Sequence, residues 1–267
     1  MADGLTVRKD PRPLTPTEIH QLVDDIFTRA RRHALTETLL RRLTQTFQAS
    51  AFAQARNLGV LTTVGPLHPA LQRLSLSHVP QLQDVPKRVR EELRVALLRT
   101  VAEGGSLREQ VGTVREVMGR VERFRAVRIA RTENTIFWHA GGRAQMVDAG
   151  VRAHLWLTSR DERVRDSHRI DGQCVPIDQP FTLADGERLL HPGDPDASPA
   201  NIVNCRCSET PEVHGCGSSR AATAERRDRL WAVEIRSVTS EERGTLALLR
   251  REFGAFRRDL VARLLRL

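Results

Sequence analysis

The sequence predicts an α+β protein with a helical N-terminal half, a small β-rich C-terminal unit and a helical basic tail. Three observations carry that prediction. Apolar residues return at intervals of three and four through most of the chain before residue 150, the period of an amphipathic helix. At 153 the pattern changes to AHLWLTS, which alternates as a half-buried strand does, and the segments up to about 215 are short and broken by DG, GDP and SPA. In the tail, Leu246, Leu249, Phe253, Phe256, Leu260 and Leu264 form a stripe like a heptad seam. The expected divisions are 1–125 for the helical region, 126–214 for a long helix plus the β-rich unit, and 215–267 for the tail.

The first helix should open at TPTE (15–18), where Thr15 caps, Pro16 fits the first helical position and Glu18 returns a bond to the cap. Ile19, Leu22, Val23, Ile26 and Phe27, then Leu39, Leu40, Leu43 and Phe47, keep helical spacing until Gly59 ends it. Residues 60–83, with Pro66, Pro69 and Pro80, read as an irregular connection. A helix capped by Asp84 and stopped by Gly104-Gly105 follows, and SLRE (106–109) opens a short one ending near Gly119. The next runs from about Val121 to Asp148, with Val127, Ala130, Ile136 and Phe137 on one face and Gly150 closing it. In the tail, TSEE (239–242) reads as a further capping box. The stripe beyond it needs a partner, either its own domain or another subunit, and folding back on the first helix is the expected outcome.

Composition narrows the chemistry. Aromatic residues make up 4% of the chain and tyrosine is absent, so the core must be built from Leu, Val and Ala. Net charge is +9, and all but two of the 42 basic residues are arginine. Residues 216–267 hold twelve arginines against seven acids, which suits either a polyanion such as DNA or a solvated helix face. No apolar run approaches membrane-spanning length, and MADGLTVRKDPRPLTP lacks the apolar stretch of a secretory signal. Use without export is expected, where free or metal-bound thiols outnumber disulfides.

The chemistry-bearing residues gather between 128 and 207. Arg131 and Glu133 sit inside an apolar-faced helix, where Glu133 should pair with an arginine or else serve as a catalytic carboxylate. Asp161, Arg163, Arg165 and His168 in DERVRDSH suit one hydrogen-bonded network at the strand exit. NCRC (204–207) places Cys205 and Cys207 on one face of an extended segment. Three readings stand: two small buried residues in a strand, a disulfide or redox pairing of Cys174 with one of them, or a structural zinc. A zinc would be held by His168, Cys205 and Cys207, with Cys174 or His191 completing the tetrahedron. Cys216, in HGCGSS, reads as a bystander. DxRxRxxH with Asn204 loosely resembles metal-dependent nucleases, but His168 is followed by a turn rather than a helix carrying a metal ligand. GxSxG, HExxH and a phosphate-cradling glycine loop are missing from the sequence.

The ordered series RIARTEN (128–134), WLTSRDERVRDSH (156–168), DG (171–172), PF (180–181), HPGD (191–194) and NCRC (204–207) resembles the Mu F-like phage head morphogenesis proteins, also called minor head or minor capsid proteins. That resemblance implies a non-enzymatic virion component enclosed in the procapsid in few copies and encoded beside the portal. It implies binding to the portal protein, with effects on assembly, DNA packaging or delivery. Scaffold or major capsid protein, and packaged DNA through the basic tail, are the other partners expected, and no membrane is. The expected location is the capsid interior, after the host cytoplasm during assembly. A metal-dependent nuclease using His168 and a stand-alone basic DNA-binding protein are the rival functions.

Overall fold

The Thr15 side chain accepts the backbone N–H of Glu18, and the Glu18 carboxylate accepts that of Thr15, so the expected capping box opens α1 (Pro16–Ile26). The computed structural model describes residues 12–217 and 224–265. After α1 come α2 (Arg29–Leu58), α3 (Pro69–Ala102), α4 (Leu107–Arg120), a π-helical turn (Val121–Arg125) and α5 (Ala126–Asp148). The β-rich stretch holds β1 (Ala153–Leu157), a 3-10 turn (Asp166–His168), β2 (Cys174–Pro176), β3 (Phe181–Thr182), β4 (Arg188–Leu189), α6 (Pro199–Ile202) and β5 (Ser208–Glu212). The long helix α7 (Ala224–Leu264) closes the series. This is the α+β class the sequence predicts. No described helix is long and apolar enough to cross a membrane.

Three boundaries differ from expectation, each because packing outweighs a local signal. The connection expected over 60–83 is shorter, since α3 already begins at Pro69 and runs through Pro80 and Pro86. Each internal proline removes one backbone donor, but Leu71, Leu74, Leu82, Val89, Leu93 and Leu97 are buried along the helix and hold it together. Asp84, expected as a cap, lies inside it beside Lys87. The expected stop near Gly119 is absent: Gly119 is buried and α4 passes through the π turn into α5. TSEE is no cap either, because α7 is continuous there and its two glutamates pair elsewhere, Glu241 with Arg42 and Glu242 with Arg131.

The contacts divide the chain into two compact units. The first takes Met1–Leu39, Val79–Val127 and Ala247–Leu267. Its interior is aliphatic, with Ile19, Val23, Ile26, Leu93, Leu97, Val114 and Met118 among the buried residues. The tail stripe folds back on the first helix as expected. Phe256 stacks on Phe27 at 4.6 Å, Arg263 reaches Asp25, and Leu249, Phe253, Leu260 and Leu264 are wholly buried.

The second unit takes Leu40–His78 and Arg128–Leu246. Two helices meet tightly at the GG pair: a Cβ on Gly141 would lie 2.2 Å from the Phe47 carbonyl oxygen, and one on Gly142 would lie 2.9 Å from Ser50 Oγ. Gly150 closes α5 in the left-handed region (φ 69°), where a side chain would strain the backbone. Beyond it, β1 is the middle strand of an antiparallel sheet ordered β2-β1-β5, with Leu155 opposite both Cys174 and Thr210. β3 and β4 form a separate two-stranded ladder. The half-buried strand expected at 153–157 is instead buried at all five positions. A central strand covered on both faces needs no alternation, and His154 tolerates burial because Glu209 pairs with it.

Candidate functional site: a histidine and two thiols beside a buried polar core

Cys205 and Cys207 lie in the extended chain that leads into β5, and the two-residue spacing turns both sulfurs to one side, as the sequence suggests. There they meet His168 at the end of the 3-10 turn. Its Nδ1 is 3.6 Å from Cys205 Sγ and 3.5 Å from Cys207 Sγ, and all three residues are buried. Trp156 stands edge-on to the imidazole at 5.5 Å, and Phe181, Leu183 and Leu189 complete an apolar jacket. The thiols titrate as a pair. A hydrogen bond from Cys207, helped by His168, holds Cys205 well below the ordinary thiol range. Donating that bond, with burial, pushes Cys207 well above it. Three such donors facing one point can hold a soft divalent cation.

The other side of His168 is equally defined. Its Nε2 is 3.2 Å from Asn201 Oδ1, which also accepts the Ser167 hydroxyl at 2.9 Å. The Asn201 amide nitrogen donates to Asp185 at 2.8 Å and to Glu187 at 2.5 Å. Glu187 is fixed in turn by the backbone N–H and hydroxyl of Ser198. The helix start at Pro199 carries Asn201 to this position.

The expected network over Asp161, Arg163, Arg165 and His168 is therefore rearranged. Among its members Asp161 and Arg163 are bonded to each other, and Asp161, Arg165 and His168 bind the 201–207 segment. Asp161 forks onto the Arg206 guanidinium, which holds its carboxyl down to about 2, and accepts the backbone N–H of Arg163 at 3.0 Å. Arg165 donates to the Val203 carbonyl, and the Arg163 residue itself is exposed. Asn204, with φ at 59°, donates its N–H to Thr132 Oγ1. Glu133 does not pair with an arginine: it accepts from His78 Nε2, while Arg131 reaches Glu242 at 3.1 Å.

Two expected ligands are elsewhere. Cys174 is disulfide-bonded to Cys216, the residue read as a bystander, and so stands apart from the thiol pair. His191 Nδ1 donates to the Pro192 carbonyl at 3.0 Å and is not in the cluster. It belongs instead to a buried group that sequence reasoning missed. Glu209 accepts from His154 at 2.7 Å, and His139 and His191 act on it electrostatically. Burial pushes His139 down to about 4. The sequence signal was the polar residue within each apolar run, His139 in IFWHA and His154 in AHLWL.

With this geometry in place, comparison with known proteins is informative. Residues 91–210 match the family described as Phage Mu protein F like protein. The match takes in a little under half of the chain and includes residues of both compact units. It contains His168, Asn201, Cys205 and Cys207, whereas the disulfide partner Cys216 lies just beyond it. A protein of Haemophilus influenzae (strain ATCC 51907 / DSM 11121 / KW20 / Rd), named only as an uncharacterized protein, is 24% identical over 139 residues. That alignment covers 52% of this chain and 28% of the Haemophilus protein, so the chain spans well under half of that relative. No solved structure matches the chain. Over residues 91–210 the chain is similar to the Mu protein F family.

Proposed function

We propose that the protein is a phage minor head protein, without enzymatic activity, that binds the portal inside the procapsid and supports assembly, DNA packaging or delivery. The observation that carries this reading is the Mu F-like match over 91–210, which contains the whole ordered motif series from RIARTEN to NCRC. The chemistry of the domain agrees with a structural role. His168 is 1% exposed and enclosed by two thiols, Trp156 and Asn201, an environment that keeps solvent from the imidazole. A nuclease would need that histidine beside a water and a phosphate. The polar groups join chain segments, as a small domain with limited core requires.

Portal protein is the first partner in this reading, with scaffold or major capsid protein as further contacts in the capsid interior. Fully exposed Leu61 and largely exposed Leu67 supply apolar surface for protein contact. The arginine-rich tail is the proposed DNA contact, although part of its charge is engaged internally, as Arg257 with Glu122 and Arg263 with Asp25. The test is co-expression with the portal protein from the same genome, followed by size-exclusion chromatography, together with quantitative mass spectrometry of purified virions. Co-elution and a few copies per particle are expected. Absence from particles together with separate elution would overturn the proposal.

A further inference from the structure

The hydrogen-bond chain behind His168 fixes which of its nitrogens can act as a ligand. Asp185 and Glu187 are carboxylates and only accept, so the Asn201 amide nitrogen must face them and its Oδ1 must face His168. An oxygen at that place requires a proton on His168 Nε2. Nδ1 is left to face Cys205 and Cys207, at 3.6 and 3.5 Å. A metal-bound histidine is usually oriented in this manner, by an acceptor on its far nitrogen.

The distances point the same way. Zinc bonds of about 2.3 Å to sulfur and about 2.05 Å to nitrogen, at a tetrahedral angle, set the nitrogen–sulfur edge at about 3.6 Å. Both observed separations fall on that edge. A thiol donating to an imidazole would explain one of them, but two sulfurs at matching distance from one nitrogen describe three corners of a coordination polyhedron. The surroundings suit a soft cation, since the sulfurs lie among Trp156, Phe181, Leu183 and Leu189.

We propose that His168 Nδ1, Cys205 Sγ and Cys207 Sγ bind one zinc ion, with Asn201 as the residue that positions the imidazole and a non-protein donor at the fourth corner. Binding displaces the two thiol protons, so the ligands are two thiolates and one imidazole, and the complexed unit carries no net charge. The ion ties the 3-10 turn to the segment entering β5. It does so where Asp161–Arg206 and Arg165–Val203 already join the same two stretches from outside. This assignment does not depend on the head-protein reading, and metal content can be measured whether or not the portal binds.

The experiment uses the full chain purified without chelator. About one zinc per chain is expected by elemental analysis. Replacement by Co²⁺ should give thiolate-to-cobalt charge-transfer absorption with tetrahedral d–d bands, and binding should release close to two protons. The double variant Cys205→Ser/Cys207→Ser should lose both metal and charge-transfer band, and Asn201→Ala should weaken zinc about 10- to 100-fold. Cys174→Ala, which opens the disulfide, should leave stoichiometry unchanged. Because the double variant can misfold, the wild type decides. A folded wild-type chain with less than half a zinc, or one that takes up Co²⁺ without a thiolate band, overturns the assignment, as does full zinc content in the double variant.

Discussion

In the first compact unit the interior is hydrocarbon and the charges stay at the rim. Leu93, Leu97, Phe253 and Leu260 are wholly buried, while Asp24, shared by Arg90 and Arg94, keeps half its side chain in solvent. In the second unit the charges are inside. His154 and Glu209 are essentially without exposure, and His139, His168 and His191 are buried nearby. The difference follows from element length. The first unit is built from helices, which bury continuous apolar stripes, whereas the second also contains strands of two to five residues that offer too little apolar surface and depend on specific bonds between segments. The first unit should therefore tolerate loss of a charge at its rim and resent cavities, whereas the second should resent the loss of a single buried polar partner.

The largest expected effects test both halves of that contrast. Phe253→Ala should cost the first unit about 3–5 kcal/mol through the cavity it leaves. Glu209→Ala should cost the second a similar 3–5 kcal/mol, because one buried partner of an ion pair is left uncompensated. Trp138 and Trp156 are buried in the second unit, so fluorescence-monitored denaturation reports that unit and circular dichroism weights the helices. If Glu209→Ala shifted the fluorescence midpoint no more than a surface variant does, the contrast would be wrong.

Opening the disulfide comes next. The Cys174–Cys216 bridge spans 42 residues, and loop-closure entropy assigns such a link up to about 4 kcal/mol. Cys174→Ala should lower the fluorescence-monitored midpoint accordingly, and reductant should add nothing to the variant.

Acid should then act on the second unit before the first. His139 is pushed from 6.5 down to about 4 by burial, with Glu209 opposing and His191 assisting. Between those values the unfolded chain binds a proton that the folded one refuses. The associated stability, roughly 3 kcal/mol at most, is complete above about pH 6.5 and drains as pH falls toward 4. Burial acts to raise the Glu209 carboxyl, but the hydrogen bond to His154 and the neighbouring imidazoles outweigh it, so its net shift is downward. Its share is present above about 4.5 and lost as pH falls further. A denaturation series from pH 7 to 4 should show a steeper loss by fluorescence than by circular dichroism, and His139→Phe should flatten it. The smallest effect is Asp24→Asn, worth under about 1 kcal/mol because solvent screens the pair.

Legibility in the sequence followed the range of each interaction. The boxes at Thr15 and Ser106 were readable because a cap is satisfied within four residues. The tail stripe was readable from periodicity, and its partner Phe27 followed from the matching stripe on the first helix. The loop placed over 60–83 and the cap placed at TSEE failed where distant leucines and arginines outvoted a local signal. Within the site, His168, Cys205 and Cys207 stood out by residue type and spacing. The pairing of Cys174 with Cys216 did not, since disulfide partners cannot be deduced from spacing.

By itself, then, the sequence determined what depends on neighbours along the chain: the α+β class, the helix starts at Thr15 and Ser106, the shared face of the two cysteines and the motif series that lies within the Mu F-like match. Tertiary structure alone decided which nitrogen of His168 faces the sulfurs, because that rests on Asn201, Asp185 and Glu187 arriving from other turns of the chain. It also decided that Glu209 can be buried, because a carboxylate sheds its water only where folding has already delivered an imidazole to receive it.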